Sequence, residues 1–123
     1  MTKCIAVEGC EIVIINGEGQ VDIQTPPQEH MLVCTKKPYA GPLVIQVSGA
    51  TVPPITNPNG TGSASLQPGS LYCNINGKKA VLEMDEVQVP ITGTAGTGPS
   101  EHPESAVATV KIIRAGQEYI KVT

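Results

Sequence analysis

Cys4, Cys10, Cys34 and Cys73, together with His30 and His102, are the residues of this 123-residue chain best suited to nucleophilic or metal chemistry. A thiol beside an imidazole can act as an activated nucleophile, and the same two side-chain types bind zinc. Spacing narrows both ideas. His102 stands between Glu101 and Pro103 in a stretch that reads as loop, so a solvated histidine is the simpler assignment. His30 and Cys34 are separated as ligands on a helix would be, yet Met31-Leu-Val-Cys-Thr35 reads as a strand. Cys73 falls on the inward side of an alternating segment, where an unreactive core thiol is expected. Glu83, Asp85 and Glu86 form a short acidic group that reads as a solvated bend rather than a carboxylate pair or a cation site. The sequence has no Gly-x-Ser-x-Gly elbow, no His-Glu-x-x-His and no Walker loop. These residues do not predict an enzyme.

The element that organises the chain is residues 69–85, Gly69-Ser-Leu-Tyr-Cys-Asn-Ile-Asn-Gly-Lys-Lys-Ala-Val-Leu-Glu-Met-Asp85. Asn76-Gly77 is the two-residue signature of a type I′ turn, because both residues tolerate positive φ. Leu71, Cys73 and Ile75 alternate with Tyr72 and Asn74 on one side. Ala80, Leu82 and Met84 alternate with Val81, Glu83 and Asp85 on the other. Period-two patterns flanking Asn-Gly predict a β-hairpin. Between Met84 and Val87 the alternation slips, so Asp85-Glu86 predicts a bulge or tight bend.

The rest of the chain offers two looser copies of this unit. Apolar runs at 3–7 and 11–15, split by Glu8-Gly9-Cys10, lead through Asn16-Gly17-Glu18-Gly19 into a strand with Val21 and Ile23 on one face. Residues 109–113 and 118–122 flank Arg114-Ala-Gly-Gln117 in the same way. Such echoes predict repetition of one hairpin, although β-hairpins also resemble each other by chance. Pro26-Pro27 ends the first hairpin, since proline cannot donate to a ladder. Residues 31–35 and 42–48 read as further strands. Residues 52–69 and 91–105 are rich in Gly, Pro, Ser and Thr, each containing Gly-Thr-Gly. They read as long loops, laid as extended segments over a neighbouring surface.

Composition fixes the class. There is no Phe and no Trp, thirteen Gly and eleven Pro punctuate the chain, and Val and Ile far outnumber Leu. β-Branched residues suit a pleated sheet better than a helix, and no window carries helical periodicity. The chain is expected to be one all-β domain over residues 1–123, a small cone-like or prism-like stack of hairpins. A net charge of −3 and a pI near 5.3 argue against nucleic acid as a partner. No signal pattern opens the chain and no apolar run approaches a membrane span. Cytoplasmic synthesis with reduced thiols and no stable membrane anchor is therefore expected.

Within 69–85 the sequence resembles the PAAR-repeat proteins, the sharpened tips of contractile injection spikes. Their segment runs Gly-Ser, five residues, Asn-Gly-Lys, Pro-Ala-Ala-Arg, one residue, Gly-Asp. Gly69, Ser70, Asn76, Gly77, Lys78, Ala80 and Asp85 fall at matching positions without a gap, while Lys79, Val81, Leu82 and Met84 depart. The resemblance implies a structural tip that caps the trimeric β-helical spike of a type VI secretion system, an extracellular injection particle or a contractile phage tail. It implies a trimeric spike protein as partner, an effector as further cargo, a part in membrane puncture, and delivery outside the cell within the particle. It also implies zinc near the apex, held by histidines and a cysteine. His30, Cys34 and His102 are the first candidates and Cys10 the fourth. The family's cysteine after the Asp is missing, since Val87-Gln-Val-Pro90 stands there. A single copy seated on three equivalent chains needs pseudo-threefold repeats at its base. The alternative is a β-sandwich adhesion module that recognises a glycan or protein through its Pro/Gly-rich loops. The lack of Trp and Phe counts against sugar stacking.

Overall fold

Val, Ile and Thr take the extended backbone they favour, and a computed structural model of the chain is built almost wholly of strands. It describes residues 3–29, 32–70, 73–117 and 120–122. In chain order these are β1 (Lys3–Cys4), β2 (Glu11–Ile14), β3 (Glu18–Ile23), β4 (Leu43–Thr51) and β5 (Gly60–Leu66), then β6 (Asn74–Ile75), β7 (Lys78–Lys79), β8 (Glu86–Ala95), β9 (His102–Arg114) and β10 (Lys121–Val122). A 3₁₀ turn at Gly98–Ser100 is the one helical element among the described residues, and no helix is long and apolar enough to cross a membrane. The fold is all-β.

Six strands form one antiparallel sheet in the order β2-β9-β8-β5-β4-β3. Its edges, β2 and β3, are consecutive in sequence and lie side by side, so the sheet curls into a nearly closed barrel. Alternate residues point inward: Leu43, Ile45 and Val47 on β4, Val89 and Ile91 on β8, Val110 on β9, all buried. Each such side chain contributes about 1.5–3 kcal/mol by leaving water.

Asn16-Gly17 does not make the hairpin its sequence suggests. Strand β2 pairs with β9 and β3 with β4, as in Ile14 opposite Val110 and Val21 opposite Val47. The Asn16 side chain gives the reason. Its Nδ2 donates to the Val107 carbonyl (2.9 Å) and its Oδ1 accepts from the Thr109 N–H (2.8 Å), so the strand end is held on β9. The third expected hairpin also dissolves, since β9 pairs with β2 and β8, and β10 with β1. The two supposed loops contain long strands: Gly60–Leu66 is β5, and much of 91–105 belongs to β8 and β9. Their glycines serve close backbone approach rather than flexibility. A Cβ on Gly62 would collide with the Pro90 carbonyl, and one on Gly93 would lie 3.0 Å from the Gly60 Cα.

A cap closes one end of the barrel. Residues 4–8 lead into β2, 37–41 into β4 and 79–83 into β8, and these three short segments pair with one another. The Ala6 N–H donates to the Val81 carbonyl (2.8 Å), Val81 to Tyr39 (3.1 Å) and Tyr39 back to Ala6 (2.9 Å). Two residues further on, Glu8 donates to Lys37 (2.8 Å), Gly41 to Lys79 (2.8 Å) and Glu83 to Cys4 (2.9 Å). The bridges Val7 to Pro38, Ala40 to Ala80 and Leu82 to Ile5 complete the set. Every bond has two counterparts when the segments are exchanged in cyclic order, so a pseudo-threefold axis passes through the Ala6–Tyr39–Val81 ring.

Each cap segment carries a hairpin arm on its outer edge. In the third repeat β6 pairs with β7 around Asn76-Gly77. In the second, Val33 bridges Lys36 around Cys34-Thr35. In the first, β1 pairs with β10, so the two ends of the chain supply the arm. The repeat expected from sequence therefore exists in a different register: the counterpart of Asn76-Gly77 is Cys34-Thr35, not Asn16-Gly17. The strand expected at 31–35 is broken by this turn. Cys34 (φ 51°) and Thr35 (φ 69°) occupy the left-handed region, as do Asn76 (φ 52°) and Gly77 (φ 81°). A branched residue there costs about 1–2 kcal/mol. Replacing Cys34 with Asn and Thr35 with Gly is expected to stabilise the protein by about 1 kcal/mol, seen as a higher urea midpoint at unchanged slope.

Candidate functional site

The motif residues of 69–85 form one continuous unit of the cap. Asn76 and Gly77 make the turn, and the Asn76 Nδ2 donates to the Glu29 carbonyl (3.1 Å) and the Gln28 Oε1 (3.3 Å), tying this arm to the second repeat. Ala80 is fully buried in a small cluster with Ile5, Ala40, Ile75 and Leu82, separate from the barrel core. Lys78 lays its stem against Gly41, where an added Cβ would sit 3.0 Å from the Lys78 Cδ. Buried Ser70 donates its N–H to the Ala80 carbonyl (3.3 Å), and its Oγ accepts from the Cys73 N–H (2.9 Å). The same place in the first repeat is held by Gln117, whose Oε1 accepts from the Ile120 N–H (2.8 Å) and whose Nε2 reaches the Ile5 carbonyl (3.0 Å).

Asp85 is the polar hub of this unit. Its Oδ2 accepts from the Gly69 N–H (2.9 Å) and the Leu82 N–H (2.8 Å), joining the start of the segment to its end. Gly69 has no Cβ because one would collide with that carboxylate. The predicted bend is present: the Asp85 N–H donates to the Leu82 carbonyl (3.3 Å) and Met84 sits at φ 69°. The solvated bend is corrected at one point, since Asp85 is only 9% exposed. Burial pushes its carboxyl above the ordinary value of 3.8, against the pull of the two N–H groups and the Lys3 charge. Its neighbours in sequence do other work. The Glu83 Oε1 accepts from the Cys4 N–H (3.1 Å), as Glu8 accepts from Lys37 (3.2 Å) one repeat away, and Glu86 opens β8.

Of the predicted zinc ligands that the structure describes, His102 stands apart from Cys34 and Cys10. Cys34 lies at the cap, its Sγ 3.6 Å from the Gln117 Oε1, and the Cys10 backbone packs beside Gly116. His102 starts β9 at the opposite end of the barrel, a full strand of roughly 40 Å from Arg114. It is not the loop histidine expected, though it is exposed, and both ring nitrogens are engaged. Nδ1 is 2.9 Å from the Ser100 carbonyl and Nε2 2.9 Å from the Glu104 Oε1. These contacts, Ser100 first, raise its pKa. His30 lies outside the described residues. His102 therefore cannot share a metal with Cys34 or Cys10, and among the described residues no three His, Cys, Asp or Glu gather as a metal would require.

No disulfide joins the four cysteines. Cys4 is buried, Cys34 exposed, and Cys10 and Cys73 intermediate, with burial pushing the Cys10 thiol up. Brief alkylation of the native protein followed by peptide mass spectrometry is expected to modify Cys34 first and Cys4 last, because thiolate character and access together set the rate. A groove of about 600 Å³ opens beside Cys4, Glu83, Arg114 and Gln117. The Glu83 and Gln117 oxygens there already accept backbone N–H groups.

What the site offers is thus shape: a threefold-related cap in which Ser70, Glu83, Asp85 and Gln117 bond backbone groups and so hold that shape. Comparison with protein families, with curated proteins and with solved structures returns no match for this chain.

Proposed function

We propose that the protein is a structural cap for the end of a trimeric β-helical spike, in the manner of PAAR-like tips. The observation that carries this reading is the cyclic ring of Ala6, Tyr39 and Val81 with its three flanking arms. A homotrimer ends in three identical sets of strand groups, and an exposed strand end is a liability for aggregation. One asymmetric chain could cover only one of those sets well. A chain whose backbone repeats three times about an axis can meet all three at once. The role is mechanical and uses no catalytic group: a rigid, aliphatic plug that leads the spike through a membrane and travels with it out of the cell.

The test is stoichiometry. The purified protein, mixed with the purified homotrimeric β-helical spike from the same genome, is expected to give one cap per trimer by native mass spectrometry. A complex with three caps per trimer, or no complex at all, would overturn the reading.

A further inference from the structure

Most lysines of this chain are gathered at one end of the pseudo-threefold axis, while its acids are spread over both ends. Lys3, Lys36, Lys37, Lys78, Lys79 and Lys121 all lie on the three cap arms or the segments they join, leaving only Lys111 and Arg114 for the barrel. The far end of the barrel carries Glu18, Glu101 and Glu104 near its turns with no lysine or arginine among them, although His102 pairs with Glu104 there. Within the cap, Lys3, Lys36 and Lys78 occupy one and the same position in the three repeats. Each stands just before the segment that enters the ring, Lys36 and Lys78 directly after the left-handed turns. Four carboxylates of the cap, Glu8, Glu29, Glu83 and Asp85, oppose part of this charge, and the Lys3 charge acts on Asp85, so six lysines against four acids leave the described cap with a net positive balance. Glu29 pairs with Lys37 at 3.1 Å, and Glu8 and Glu83 are turned to backbone N–H groups. The Lys36 Nζ donates to the Gly116 carbonyl (3.1 Å), with no carboxylate paired to it among the described residues. Exposed Leu32 and Ile120, on two of the same arms, add apolar contact surface beside the lysines.

We infer that the cap end is the docking face, and that its partner presents acidic residues in three equivalent places around a threefold axis. This rests on the spike-cap reading and adds which end of the protein is seated and by what chemistry. A lipid surface would attract lysines in any arrangement. Three equivalent positions match a threefold partner, whose own acidic groups are spaced by its symmetry. Charge complementarity then sets register and speeds encounter while the apolar contacts hold. The far barrel end is left pointing away.

The test uses the full-length protein with Lys3, Lys36 and Lys78 changed together to Glu, and a milder set changed to Gln. A control carries Glu101→Lys and Glu104→Lys at the other end. Circular dichroism and the urea midpoint establish that each is folded. Affinity for the purified homotrimeric spike is measured over a salt series, and sedimentation with vesicles of phosphatidylcholine and phosphatidylglycerol runs in parallel. The expected result is that the Gln set loses about tenfold in affinity and the Glu set more, with a weaker salt dependence for the Gln set. The control binds as the wild type does. Undiminished binding by both Lys sets, or loss in the control alone, overturns the docking face and leaves the spike-cap reading standing. Absence of any trimer binding with retention on the anionic vesicles overturns both.

Discussion

Asp85→Ala is expected to destabilise the protein by about 3 kcal/mol, because it strands two backbone donors that the carboxylate now satisfies. The bond from the Leu82 N–H is buried and that from the Gly69 N–H partly so, so water does not readily replace the lost acceptor. Asp85→Asn is the informative partner. Both bonds fall on a single oxygen, Oδ2, so an amide placed with its carbonyl there keeps them and is expected to stay within about 1 kcal/mol of the wild type. Urea denaturation of the three proteins at pH 7 checks the order wild type and Asn together, Ala far below.

The same pair of proteins reads the ionisation. Burial raises the Asp85 pKa in the folded protein above the ordinary 3.8, so the folded state binds this proton more tightly than the unfolded state does. Asp85 therefore favours the fold most below pH 3.8, and that contribution is lost as the pH rises through the raised folded value. Other carboxylates titrate in the same window, which is why the difference between wild type and Asp85→Asn is the quantity to plot. It should move against the wild type as pH rises from below 4, then level off. A flat difference would mean that the two N–H groups and Lys3 fully offset the cost of burial.

The local signals were legible where backbone chemistry decides locally. Asn76-Gly77 makes its turn because both residues accept positive φ without help, and the slipped alternation after Met84 marks a true bend. All-β character follows from residue type. What sequence alone hid was tertiary. Asn16-Gly17 has the same turn chemistry, but its side chain is captured by Val107 and Thr109 on β9. Cys34-Thr35, with an apolar and a β-branched residue, looks like strand and is a turn, because the hairpin it closes is fixed by the cap around it. Gly62 and Gly93 look like loop and lie in strands, because a neighbouring backbone comes too close for a Cβ. His102 is parted from the other described candidates for a related reason. Nothing in the spacing of Cys34 and His102 reveals that a full-length strand separates them.

The largest effect belongs to the ring itself. Ala6, Tyr39 and Val81 are bonded only cyclically, each N–H to the carbonyl of the next segment, so the three bonds cannot be loosened one at a time without spoiling the pairing on both sides. Val81→Pro removes one donor, leaves the Tyr39 carbonyl unmatched and puts a ring where the segments cross, at a cost of about 3 kcal/mol or more. That is a large share of a total that is only about 5–15 kcal/mol for a domain, and a molten or insoluble product is the expected outcome. Native-state hydrogen exchange gives a reading that needs no variant. Those three amides come from distant parts of the sequence, yet they are expected to exchange at one common, slow rate with the same dependence on added urea, as a single cooperative unit. If instead Ala6 exchanged early and alone, with the β1–β10 arm, the cap would be two segments propped by a third, and the threefold seat would have lost its physical basis.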